Sequence, residues 1–113
     1  MPIHNCKAIQ ERAERLRKVL TEARTRVGKG DRTFTVDGVD PNEVKKIYAY
    51  LCTHNNLAML RDLLQILPTS SLCRTNRTAG YYQNIRLAFD SEGVYDLSVA
   101  DAKAIIGWAC RLL

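Results

Sequence analysis

Apolar residues recur at steps of three and four through the first quarter of the chain: Ile9, Ala13, Leu16, Leu20, Ala23 and Val27. That spacing predicts one long helix, with Asn5 as its N-cap and Gly28-Lys29-Gly30-Asp31 as its end. The stripe is narrow, as on a helix that lies outside a bundle or pairs along a seam. Thr33-Phe34-Thr35-Val36 then alternates briefly before Asp37-Gly38, which fits either a short hairpin arm or an irregular loop. So short a strand would need a second strand from this chain or a neighbour.

Asp40-Pro41-Asn42-Glu43 carries the strongest local signal: an Asp N-cap, Pro at the first helical position and Glu at the third, as in a capping box. A helix starts at Pro41, buries Val44, Ile47, Tyr48 and Leu51, and breaks at His54-Asn55-Asn56. Asn56 caps the next helix, Leu57 to Leu67, which Pro68 stops. Residues 69–79 read as an exposed polar loop. A fourth helix from about Gly80 to Phe89 buries Ile85, Phe89 and one of Tyr81 or Tyr82. After a turn at 90–96, Ser98 caps a last helix whose Val99, Ala102, Ile105, Ile106, Trp108, Ala109 and Leu112 are strongly apolar. The expected fold is all-α, a compact bundle of about five helices with one short β segment near 33–36, in a single domain spanning 1–113.

Charge sharpens this picture. The net charge is +5, and residues 1–32 hold all of it, with nine Lys/Arg against four acids; residues 33–113 hold eight of each sign. An asymmetry of this kind points to an anionic partner, nucleic acid rather than a membrane surface. Arg12, Arg15, Lys18 and Arg26 lie off the apolar stripe, and Lys29 follows at its end. Guanidinium groups there suit phosphates, although Glu11–Arg15 and Glu14–Lys18 at i,i+4 would also serve helix stability. A second group, Arg74, Arg77, Tyr81, Tyr82 and Arg86, interleaves cations and aromatic rings around the loop–helix junction. Phosphates would meet the arginines while a tyrosine stacks on an unpaired base, which favours RNA or single-stranded DNA. Tyrosines at the edge of the core are the plainer reading of the same pair.

Catalytic chemistry finds no candidate. His4 and His54 are the only histidines, neither has motif context, and no face pairs two carboxylates. Gly28-Lys29-Gly30 lacks the spacing of a phosphate loop. His4 and Cys6 alone do not make a metal site, and no cofactor is expected. Cys6, Cys52, Cys73 and Cys110 form no C-x-x-C pair and read as buried thiols. With neither a leader-like segment nor a membrane-length apolar run, the expected location is cytoplasmic, and the sequon Asn76-Arg77-Thr78 reads as chance.

The run Tyr50-Leu51, Leu63-Leu64-Gln65-Ile66-Leu67, Arg74 and Tyr81-Tyr82-Gln83-Asn84-Ile85, set in a short basic helical chain, resembles the small helical subunits of CRISPR RNA-guided effector complexes. The resemblance implies a non-catalytic subunit of an antiviral ribonucleoprotein. Such subunits stack with other proteins along the complex and line a basic path for guide–target duplex or displaced strand. It would give that role to Arg12, Arg15, Lys18, Arg74, Arg77 and Arg86. The alternative is a protein-interaction adaptor, monomeric or homo-oligomeric, that docks a partner through the first helix's stripe or the apolar face of Val99–Leu113.

Overall fold

The computed structural model describes residues 6–69 and 76–113, with Lys29 described by its backbone alone. Helices α1 (Cys6–Glu22), α2 (Pro41–His54), α3 (Leu57–Ile66), α4 (Asn76–Ser91) and α5 (Val99–Leu112) build an all-α bundle. Strands β1 (Arg24–Lys29) and β2 (Arg32–Asp37) add one antiparallel hairpin between α1 and α2. Short 3-10 turns at Leu67–Thr69 and Val94–Asp96 follow α3 and α4. The chain's local signals set most helix starts. Asp40 accepts from the Asn42 amide at 2.9 Å, Asn56 from Met59 at 3.1 Å and Ser98 from Asp101 at 3.2 Å, caps worth about 1 kcal/mol each.

Two boundaries differ from expectation. The first helix stops at Glu22, and Ala23 and Val27, whose spacing extends its stripe, belong to the chain that leads into and through β1. Thr25 and Val27 are β-branched and Gly28 is a poor helix former, so the segment gains more by pairing with Arg32–Asp37. Gly28-Lys29-Gly30-Asp31 is therefore the hairpin end and not a helix stop. Gly30 stands at φ 59 in the first position of a two-residue turn, and Gly28 at φ 110 lies so close to β2 that a Cβ would meet the Arg32 carbonyl oxygen at 2.1 Å. The other difference is at α4, which is already helical at Asn76 and continues to Ser91. Arg74 and Cys73 lie outside the described residues.

One hydrophobic cluster joins all five helices. α1 packs chiefly along α5, α2 against α5, and α4 between the hairpin and α3. Ala13, Leu16 and Leu20 of α1 are wholly buried, so this part of its stripe packs into the bundle. Burial of each leucine contributes about 1.5–3 kcal/mol to the fold. Glu43, expected to complete a capping box, turns inward instead. It is 9% exposed, accepts the Tyr82 hydroxyl and pairs with Lys46 at 3.3 Å. Among the described residues no helix is long and apolar enough to cross a membrane, and no three His, Cys, Asp or Glu side chains converge as a metal-binding group.

Of the three described cysteines only Cys110 is buried, beside Ala109 and Ile106 of α5. Cys52 follows the buried Leu51 and so faces away from the core, and Cys6 opens α1 beyond the core's edge. Burial also pushes the Cys110 thiol above its usual pKa, which lowers the thiolate fraction. Cys6 and Cys52 should therefore react with a water-soluble maleimide at neutral pH while Cys110 reacts only after denaturation. Peptide mapping by mass spectrometry checks this order; Cys110 labelling alongside the other two would contradict the packing of α5.

Candidate nucleic-acid interface

The hairpin is held at its base by one side chain. Asn84, wholly buried in α4, donates through Nδ2 to the carbonyls of Val36 (3.0 Å) and Gly38 (2.7 Å) and accepts the Thr25 hydroxyl on Oδ1 at 2.6 Å. It thereby ties both strands to α4. One helical turn earlier, Gly80 lets the strand approach, since a Cβ there would meet Val36 Cγ2 at 2.6 Å. The strand register places Thr25 opposite Val36 and Val27 opposite Phe34 on the side that faces α4. Val36 is 4% exposed at the base, whereas Phe34, nearer the tip, is 40% exposed.

The opposite side of the ribbon is polar and basic. Arg24 pairs across the strands with Asp37 at 2.6 Å, and Arg26 donates to the Thr33 hydroxyl at 3.1 Å. Arg32, paired with Lys29 at the turn end of the ladder, falls by alternation on the Phe34 side instead, beyond Phe34 toward the tip. The segment 24–37 carries Arg24, Arg26, Lys29 and Arg32 against Asp31 and Asp37. The exposed Arg24–Asp37 pair adds little stability but neutralises one cation. Arg26, Lys29 and Arg32 remain, facing only Asp31 in that segment.

The positions expected to bind nucleic acid separate in the fold. Arg26 and Lys29 move from a helix face to the hairpin. Arg12 and Arg15 instead hold α1 to the turn after α4: Arg12 Nη2 donates to the Glu92 carbonyl at 2.9 Å and Arg15 Nε pairs with the Glu92 carboxylate at 3.2 Å. The expected Glu11–Arg15 pair thus gives way to a tertiary one, because Glu92 is more sheltered, its side chain 12% exposed. Lys18 is exposed on α1 in a shallow depression that it shares with Glu11, Glu14, Arg15 and Arg17, a surface of mixed sign.

At the start of α4, Arg77 is exposed and Tyr81 half-buried. Tyr82 corrects the expectation of a free stacking ring: it is 8% exposed, packed in the core, and its hydroxyl is given to Glu43. Arg86 is half-buried, donates to Gln83 at 3.4 Å and lies near Tyr95, whose pKa is raised by burial first and by Asp90 second. Cations and rings therefore do not interleave along one free face of α4.

Arg24, Arg32 and Phe34 are the residues that pattern reading missed. Their available signal was the Thr33–Val36 alternation, read without its partner strand. No family model matches the chain, and no curated protein or solved structure matches it.

Proposed function

We propose that the protein is a non-catalytic nucleic-acid-binding subunit that presents its basic hairpin to RNA or single-stranded DNA. The observation that carries this reading is the hairpin itself, with Arg26, Lys29 and Arg32 at or near its outer end, an exposed Phe34, and a base pinned to α4 by Asn84. Arginine and lysine contact phosphates and release counterions, while an exposed aromatic ring offers a stacking surface to an unpaired base. A rigid base matters because a pre-ordered arm has less freedom to lose on binding. The resemblance to small helical subunits of CRISPR effector complexes supports placing this activity inside a larger ribonucleoprotein, with the hairpin as an addition to the helical pattern.

Fluorescence anisotropy with labelled single-stranded RNA, single-stranded DNA and duplex tests the proposal. Binding at about 50 mM salt should weaken steeply as salt rises. The combined variant Arg26→Gln, Lys29→Gln and Arg32→Gln should lower the salt slope on single strands by about 2. Phe34→Ala should cost single strands about 1–3 kcal/mol and spare duplex. Absence of binding to all three ligands at low salt, or wild-type affinity in the folded triple variant, would overturn the reading.

A further inference from the structure

α5 turns one face outward. Lys103, Gly107 and Arg111 follow one another at four-residue spacing along it, beside a cleft of about 370 Å³ that Ile9 of α1, Tyr48 of α2 and Trp108 also line. Gly107 lies at the middle of this lining. A Cβ there would meet the Tyr48 ring at 3.0–3.1 Å, so the ring rests directly on the bare backbone and forms one wall of the cleft. Eight residues of α-helix span about 12 Å, so Gly107 lies midway between two cations whose backbones are about that far apart. The described lining contains Lys103 and Arg111 and no carboxylate. Lys103 gives one of its three donors to the side-chain oxygen of Asn55 and keeps its charge for a further partner.

The apolar surface does not end with the cleft. Trp108 and Leu112, one turn apart, are each 41% exposed. A small ligand seated over Gly107 would leave Leu112 in water, whereas a helix laid along α5 would cover both. Tryptophan and arginine are also the side chains on which protein interfaces concentrate their affinity.

We infer that this face of α5 docks an acidic amphipathic helix of a partner protein. An apolar residue of that helix enters the cleft between Ile9, Tyr48 and Trp108. Carboxylates four residues to either side of it meet Lys103 and Arg111. A second copy of this chain does not supply the pattern: its acids spaced eight apart, Glu14 and Glu22, have Lys18 between them.

Trp108 is the chain's single tryptophan, so binding reports itself. The probe is a helix-stapled, tryptophan-free peptide with the pattern Glu-x-x-x-Leu-x-x-x-Glu, titrated against the full chain by intrinsic fluorescence. A twin peptide with Lys for both Glu serves as comparison. The acidic peptide should shift Trp108 emission to the blue and bind at least tenfold more tightly than its twin, as complementary charges at both ends require. Lys103→Glu with Arg111→Glu should reverse that order, and the milder Lys103→Gln with Arg111→Gln should abolish the preference if the reversed variant does not fold. Equal binding of the two peptides, or no emission change with either, overturns the inference. So does a dimer in sedimentation that the charge-reversed variant dissolves, or a response to a small aromatic carboxylate without one to the peptide.

Discussion

Replacing Asn84 with leucine should lower the unfolding free energy by about 3 kcal/mol or more and free the hairpin from α4. The side chain is wholly buried and satisfies three partners at once: two backbone carbonyls and the Thr25 hydroxyl. Leucine fills similar volume but leaves those three groups without hydrogen bonds, at about 1–3 kcal/mol for each group that water cannot reach. Asn84→Asp isolates the cause. It keeps the shape and the acceptor for Thr25 but sets a carboxylate against the Val36 and Gly38 carbonyls, which raises the introduced group's folded-state pKa above its unfolded value. The charged form is then the destabilised one, so the penalty is full at neutral pH and shrinks as pH falls through the folded-state pKa. Urea denaturation at two pH values and amide exchange across β1 and β2 measure both effects. Should either variant unfold within about 0.5 kcal/mol of the parent, the range of an ordinary surface change, Asn84 is not the tie described here.

How much of this was legible in the chain follows from the range of each signal. Caps act over three or four residues, so Asp40-Pro41, Asn56 and Ser98 place α2, α3 and α5 almost to the residue. The end of α1 is not local. Ala23 and Val27 preserve helical spacing, and what stops the helix is a pairing strand eight or more residues away together with an asparagine far along the chain on α4. Asn84 itself looks unremarkable among Gln83 and Ile85; its only signal is a polar residue four places after Gly80 on a helix whose other faces bury Tyr82, Ile85 and Phe89.

The candidate interface was legible as a composition and not as a place. Excess positive charge in residues 1–32 is a property of the sequence, but the fold divides it between α1 and the hairpin. On α1 the cations are spent partly on Glu92 and mixed with Glu11 and Glu14. Tyr82 illustrates the same limit, since its partner Glu43 lies 39 residues earlier and reads locally as a helix-capping acid.

Gly80 and Gly107 both sit inside helices, and alanine at the two positions should move stability in opposite directions. Intrinsic propensity favours alanine over glycine by about 1 kcal/mol in either helix. At Gly80 the new methyl would stand 2.6 Å from Val36 Cγ2 and 2.7 Å from its Cβ. Val36 is β-branched, 4% exposed and fixed to a strand whose carbonyl Asn84 holds, so relief requires the strand to move. Overpacking of that kind costs about 1–3 kcal/mol, and with the contact reaching the Cβ the net change should be a loss of about 1–2 kcal/mol. At Gly107 the neighbour is the outer end of the half-buried Tyr48 ring at 3.0–3.1 Å, which can swing by a few tenths of an ångström. Propensity then wins, with a gain of about 0.5–1 kcal/mol. Thermal and urea denaturation of the two variants read the signs directly. Nucleic-acid binding should weaken in Gly80→Ala alone, because only there does the substitution displace the arm; a stabilised Gly80→Ala variant would mean that the hairpin rests loosely on α4.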